Sequence, residues 1–242
     1  MVYKNAPIRE AVFDVRIDKL DIETVEQLAS FKDKIIGDFP IEKKKYNVTG
    51  SFNFADESIV EKSTNRQLLG YIFLSNDGTR QIQARSDGFT FNVLKPYDNW
   101  EVHFEVFVKN WIEYSNLFKP SKILRIATRY INRIELPLPF KTFHEYILNT
   151  PPIPSCLPQA FSNFFMQIQV PHSDNYRRVI ITETIEPPVD SKLPFILDID
   201  VFQEEGIENL EEKLRSEFYN IRQIKNQIFE CCITDKAREL FQ

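Results

Sequence analysis

Three arginines spaced four residues apart are the side chains with the most specific chemical potential in this sequence. Arg125, Arg129 and Arg133 lie in the stretch ILRIATRYINRIEL, residues 123–136, between two prolines. The apolar alternation predicts a β-strand, which places the three guanidinium groups on one face at intervals of about 13 Å. A guanidinium binds a carboxylate or a phosphate through two parallel hydrogen bonds. The spacing therefore predicts a strand face that contacts an extended anionic partner or a row of carboxylates.

Two acidic stretches could complete or neutralise this face. Glu10 and Asp14 lie on the polar side of the predicted strand EAVFDVRI, and Asp198 and Asp200 lie on that of PFILDIDVF. If either strand pairs beside the arginine strand, opposite charges contribute roughly 0.2 to 1 kcal/mol per pair without any ligand. If the face is free, it is a ligand-binding surface. The candidate ligand-binding residues are Arg125, Arg129, Arg133, Glu10 and Asp14.

These residues support two hypotheses about function. In the first, the protein is a non-catalytic binding or interaction module whose arginine-bearing strand face contacts an unknown protein or a small anionic ligand. In the second, it is an enzyme acting on an anionic phosphate-type substrate, with Arg129 and Arg133 clamping the anion and Glu10 or Asp14 as the base. The interaction module is the preferred hypothesis, and no residue is assigned as catalytic.

Motifs that would indicate other chemistry are missing from the sequence. It contains neither a P-loop nor a G-x-G-x-x-G motif, and no serine stands in G-x-S-x-G. The histidines, at 103, 144 and 172, do not have the spacing of zinc ligands. No cofactor and no metal are therefore predicted.

Composition and charge favour a cytoplasmic protein. The net charge of -5 argues against nucleic acid as a partner. The three cysteines, two of them adjacent, suggest free thiols in a reducing compartment. Because no apolar run approaches the roughly 20 residues of a membrane span, no membrane contact is expected.

Hydrophobic periodicity predicts the elements that must position the arginines. Helices are expected at residues 21–39, 98–117 and 208–229, the second with a capping box formed by Asp98 and Glu101. Two Asp-Gly turns, at 77–78 and 87–88, predict successive hairpins. Further predictions are a strand at 46–54 with a mobile loop to 65, a short helix at 141–149, three strands within 160–202 and a short helix at 234–242.

This succession predicts an α+β protein with mostly antiparallel sheets packed against long amphipathic helices. The chain is expected to form one continuous unit, residues 1–242, of two architecturally similar halves at 1–139 and 140–242. The C-terminal helix carries a stripe of apolar side chains along one side, through which the protein could form a homodimer. The members of the stripe are Leu210, Leu214, Phe218, Ile221, Ile224 or Lys225, and Ile228.

Three separated segments carry a resemblance to a known family. They are NAPIREA near the start, RYINRIEL in the centre and ITDKAREL near the end. In this order they resemble the signatures of a sporadically distributed family of uncharacterised bacterial proteins of about 250 residues, which open with N-x-P-I-x-E-A and close with F-x-x-x-I-T-D-K-x-R. The closing match consists of Phe229, Ile233, Thr234, Asp235, Lys236 and Arg238.

The resemblance implies that a few residues belong to the pattern of the family. It implies no activity. These residues are Glu10, Arg129, Asn132, Arg133 and the segment 234–238. The sporadic distribution of the family is in keeping with a binding module accessory to a mobile or defence-type gene set.

Overall fold

A single nine-stranded antiparallel sheet forms the frame of the protein. Its structure is a computed structural model that describes residues 3–55, 58–174 and 176–242. The strands are β1 (Ile8–Ile17), β2 (Ile41–Ala55), β3 (Ser58–Leu74), β4 (Arg80–Arg85), β5 (Gly88–Leu94), β6 (Ile123–Pro137), β7 (Phe165–Pro171), β8 (Arg177–Ile185) and β9 (Lys192–Gln203). They lie side by side in the order β2-β3-β4-β5-β1-β6-β9-β8-β7. The sequence prediction of an α+β fold with an antiparallel sheet is thus confirmed.

Two long helices pack against one face of this sheet. The α-helices are α1 (Lys32–Ile35), α2 (Trp100–Phe118), α3 (Glu211–Cys232) and α4 (Asp235–Arg238). The ring of Phe13 in β1 lies 5.2 Å from that of Phe107 in α2 and 6.4 Å from that of Phe218 in α3. All three side chains are fully buried, so the aromatic residues join the sheet and both helices in one core.

The arginine strand β6 lies at the centre of the sheet beside β1. In the first part of the chain, β5 returns to pair with β1 and is followed by α2. In the second part, β9 returns to pair with β6 and is followed by α3. Strand β1 therefore lies between β5 and β6, and strand β6 lies between β1 and β9. Among the described residues, no helix has the length and apolar character needed to cross a bilayer.

Several helix predictions were wrong in extent. The segment 21–39 forms a 3₁₀ helix, Val25–Phe31, that continues into the four-residue α1, because Leu28 and Phe31, three residues apart, both turn toward the sheet. The helix expected at 141–149 is a 3₁₀ turn at Phe143–Glu145. The segment after residue 234 forms α4 and a 3₁₀ helix, Glu239–Phe241.

The predicted capping box of α2 was also wrong. Asn99, and not Asp98, caps the helix, because its side-chain oxygen accepts hydrogen bonds from the N–H groups of Glu101 at 2.8 Å and Val102 at 3.3 Å.

The segment around residues 41–65 forms a long hairpin in place of a short strand and a mobile loop. Its two strands, β2 and β3, pair along their whole length. Strand β4 pairs with β3 only along residues 70–74, so the rest of the hairpin extends beyond the core as a two-stranded ribbon. The residues that follow, ADESIVEKSTN, do not alternate between apolar and polar, so the pattern gave no strand signal beyond residue 54. Asp56 and Glu57, within the predicted loop, lie outside the described residues.

Candidate functional site

The predicted arginine face lies between the two acidic strands that the sequence indicated. Strand β1 pairs with one edge of β6 and β9 pairs with the other, which places Asp14 opposite Ala127 and Asp200 opposite Arg129. We call this set the arginine ladder and define it as Arg125, Arg129 and Arg133 with their acidic partners. Along β6, the buried apolar side chains that pack toward α2 and α3 alternate with the arginines. The arginine ladder therefore lies on the sheet face opposite the two helices.

Arg125 joins both acidic strands. Its Nη1 lies 3.4 Å from Oδ2 of Asp14, and its Nη2 donates to Oδ2 of Asp200 at 2.7 Å. The guanidinium also stands 4.3 Å from the ring centre of Phe202. With 11% of its side chain exposed, Arg125 is a buried structural cation that fixes the central strands to each other.

Arg129 and Arg133 are paired nearer to solvent. Arg129 donates from Nε to Oδ1 of Asp198 at 2.9 Å, and this bonding raises the pKa of Arg129 above its ordinary value. Arg133 donates from Nε to Oε2 of Glu186 at 2.9 Å, and it also contacts Glu135. The hydrogen bond from Arg133 lowers the pKa of Glu186. An anion on this face would therefore have to displace a carboxylate from either arginine.

The two predicted acidic site residues lie apart from each other. Asp14 contacts Arg125 and accepts from the Thr90 hydroxyl at 2.6 Å. Glu10 accepts instead from Nδ2 of Asn92 at 2.6 Å and makes no ion pair with the three arginines in the described part of the chain. The structure thus brings Asp14 to Arg125 but does not join Glu10 to the ladder.

A cavity on the helix side of the sheet is the second candidate site. It has a volume of about 470 Å³ and lies between α3, the N-terminal segment, the start of α2 and β6. Pockets of 300–1,000 Å³ are typical of small-molecule sites. We call it the amine pocket and define it by Tyr97, Trp100, Tyr130, Asn132, Arg222 and Lys225.

Hydrogen bonds between distant parts of the chain hold the walls of the amine pocket. The backbone N–H of Arg133 donates to the carbonyl of Pro7 at 2.8 Å, which fixes the N-terminal segment to β6. Asn132 donates from Nδ2 to the carbonyl of Leu197 at 3.0 Å, so its orientation is fixed by β9. On α3, Ile221 and Ile224 face the core, and Lys225 follows at the border of that apolar stripe.

Lys225 is the distinctive group in the pocket. Its Nζ stands 3.9 Å from the ring centre of Tyr130. Lys225 is half-buried, and desolvation by the surrounding residues together with the nearby charge of Arg222 lowers its pKa to about 7. Among the described residues, no hydrogen bond or salt bridge involves the Lys225 amine.

The acidic groups around the pocket already have other partners. Glu230 accepts from the Tyr3 hydroxyl and from Nε of Arg238, both at 2.8 Å. Glu101 accepts from Nη1 of Arg222 at 2.8 Å. These pairings leave Lys225 as a cation with an aromatic ring and no carboxylate as its close contact.

The two tyrosines are hydrogen-bond donors rather than bases. The hydroxyl oxygens of Tyr97 and Tyr130 lie 3.0 Å apart. Burial raises the pKa of Tyr97 to about 12 and raises the pKa of Tyr130 well above its ordinary value. Both phenols are therefore neutral at physiological pH, and one of them can donate to a bound acceptor.

The amine pocket was not predicted from the sequence, although some of its lining residues come from the three segments singled out there. Pro7 and Ile8 belong to the opening segment, Tyr130 and Asn132 to the central one, and Phe229 begins the closing one. One feature of the sequence did single out Lys225: the apolar stripe of the C-terminal helix could be continued by either Ile224 or Lys225. Comparison of the chain with known protein families and with curated proteins gave no match.

Proposed function

We propose that the protein is a binding module that holds a small aromatic ligand in the amine pocket. An oxygen of the ligand, from a carboxylate or a carbonyl group, accepts a hydrogen bond from Lys225. The observation that carries the proposal is a half-buried amine that has no acceptor among the described residues and lines a cavity of about 470 Å³.

The lining of the pocket supports an aromatic ligand. Rings of Tyr97, Trp100 and Tyr130 form part of its wall, and aromatic rings pack favourably with centroids about 4.5 to 7 Å apart. Arg222 stands 4.8 Å from the ring centre of Trp100, so a cation lies beside this aromatic wall. A flat molecule with one oxygen acceptor satisfies both the apolar surface and the amine.

The experiment is a binding titration with benzoate as the probe, followed by calorimetry and by thermal unfolding. Benzoate is expected to stabilise the wild type, by about 2.7 kcal/mol at a concentration a hundred times its Kd. Lys225→Met is expected to weaken binding at least tenfold because the charged acceptor loses its donor. The control is Lys213→Met, an exposed lysine on the same helix, which should bind as the wild type does.

Equal benzoate affinity in the wild type and in Lys225→Met would overturn the assignment of the site. Absence of any benzoate binding to the wild type would overturn the proposed ligand class.

The arginine-bearing strand face is a second candidate surface, for a protein or a small anionic ligand. The supporting observation is the side chain of Arg129, which is 50% exposed although it is paired. If this face binds anions, inorganic phosphate should stabilise the wild type and should not stabilise the double variant Arg129→Ala with Arg133→Ala. The enzyme hypothesis, in which Arg129 and Arg133 clamp a phosphate-type substrate, depends on the same result.

We also propose that the fold contains two similar halves with long amphipathic helices. The supporting observation is the shared order of a first strand, a series of antiparallel strands that returns to it, and a long helix. On this ground we propose a boundary between α2 and β6, and the halves 1–139 and 140–242 stay the prediction from the sequence. A homodimer through α3 also stays a prediction, which light scattering at two concentrations tests.

A further inference from the structure

We propose that Lys225 forms an imine with an aldehyde or ketone ligand bound in the amine pocket. The inference rests on the proposed function, because the carbonyl compound must first occupy the same cavity. It goes beyond that function because the ligand becomes covalently attached to the protein.

The geometry supplies what a nucleophilic amine needs. Lys225 lines a cavity, its Nζ lies over the face of Tyr130 at 3.9 Å, and no described side chain accepts a hydrogen bond from it. An amine attacks a carbonyl only through its unprotonated lone pair, so a desolvated lysine beside a second cation is suited to the task. Arg222, one turn earlier on α3, is that cation.

Charged and titratable groups from each neighbouring element line the pocket around this amine, and two of them, Arg222 and Glu230, act on its pKa. The groups are Arg222 and Glu230 on α3, Asp98 and Glu101 at the start of α2, Tyr130 on β6 and Tyr3 in the N-terminal segment. Glu101 is held by Arg222, and Glu230 is held by Tyr3 and Arg238. Desolvation is the largest cause of the lowered pKa of Lys225, about 7, so the neutral amine is far more accessible at pH 7 than that of an ordinary lysine.

The reaction balances without an oxidant or a reductant. The nitrogen lone pair forms a bond to the carbonyl carbon, and the carbonyl π electrons move to oxygen, which takes a proton to give a carbinolamine. The nitrogen then loses one proton, the hydroxyl leaves as water after protonation, and a C=N bond forms as an iminium ion, which loses the second N–H proton to give the imine. The neutral phenols of Tyr97 and Tyr130 line the same cavity and can donate hydrogen bonds to the carbonyl oxygen.

The experiment uses benzaldehyde as the probe and sodium cyanoborohydride to reduce the imine to a stable benzylamine. Intact mass and peptide mapping then show which amines have reacted at about pH 7. We expect one benzyl group on Lys225, added at least roughly tenfold faster than on the exposed Lys213 of the same helix, because an ordinary lysine is almost fully protonated at this pH. Excess benzoate should slow the labelling of Lys225 and leave Lys213 unchanged.

Two variants make the result specific. Lys225→Arg keeps a cation and should lose the fast label, whereas Lys213→Arg should keep it, and circular dichroism verifies that both variants are folded. The wild-type peptide map decides the question even if Lys225→Arg does not fold.

Labelling of Lys225 and Lys213 at the same rate would overturn the proposal that Lys225 forms an imine. If benzoate still binds in that case, the proposed function stands without the covalent step. If neither benzoate nor benzaldehyde occupies the pocket, both proposals are overturned.

Discussion

Replacing Glu183 by glutamine is expected to stabilise the protein in a pH-dependent manner. Glu183 lies on β8 with its side chain on the helix side of the sheet, and it is fully buried. Asn149 donates to its Oε1, while Oε2 is buried without a partner among the described residues. Burial raises the pKa of Glu183 from 4.5 to about 7.

The sign of the effect follows from this raised pKa. The folded protein favours the protonated carboxyl, so the free energy of unfolding is greatest at low pH and falls as the pH rises from about 4.5 to about 7. Above that range the full difference applies, which is about 3 kcal/mol at 1.36 kcal/mol for each pKa unit. Glutamine resembles the protonated acid and does not titrate.

The amide also introduces a cost of its own. Its NH₂ group lies where Oε2 has no partner, and an unsatisfied buried donor costs about 1 kcal/mol. The net gain for Glu183→Gln is therefore about 2 kcal/mol near pH 8, and it disappears near pH 5, where the wild-type carboxyl is largely protonated.

Urea unfolding across this pH range measures the difference. The matched control is Glu212→Gln, an exposed glutamate on α3, which should show no comparable pH dependence. If the free energy of unfolding of Glu183→Gln differs from that of the wild type by the same amount near pH 8 and near pH 5, the claim that burial raises the pKa of Glu183 is refuted.

Three further substitutions test the frame of the fold. Arg125→Met should lower the free energy of unfolding in urea by about 3 kcal/mol, because Asp200 is left buried without its cation; a loss below about 1 kcal/mol would contradict the pairing. Asn99→Ala should reduce the thermal stability by about 1 kcal/mol through loss of the α2 cap, and Asn99→Asp should retain it. Gly70→Ala should destabilise strongly in thermal unfolding, because a Cβ there would lie 2.2 Å from a carbonyl oxygen of β4, whereas Gly37→Ala meets nothing within 4 Å and should be nearly neutral.

The sequence predicted the elements whose apolar pattern reports burial on one side. The alternation in β1, β6 and β9 predicted Asp14, Asp198 and Asp200 as partners of the arginines on the condition that an acidic strand adjoins β6, and both acidic strands adjoin it. The ribbon of β2 and β3 was missed beyond residue 54 because the sequence there, ADESIVEKSTN, has no apolar alternation. Turn chemistry predicted the two hairpins correctly, since Asp77 and Gly78 lie in the turn between β3 and β4, and Asp87 lies in the turn between β4 and β5, where Gly88 already pairs with Arg85.

The amine pocket could not be predicted because its walls come from residues far apart in the chain. Pro7, Tyr130 and Lys225 meet only when β1 pairs with β6 and α3 crosses the sheet. A sequence pattern also does not show whether an arginine is paired. Arg125 and Arg129 have the same spacing signal, yet Arg125 is buried between two carboxylates and Arg129 is half exposed.

The most direct test of the proposed function is an NMR titration of the Lys225 amine with and without benzoate. The signal is assigned by its loss in Lys225→Arg. We predict a midpoint near pH 7 in the free protein and a higher midpoint with benzoate bound, because a nearby anion favours the protonated amine. A midpoint near the ordinary value of 10.5, unchanged by benzoate, would contradict the amine pocket as the binding site.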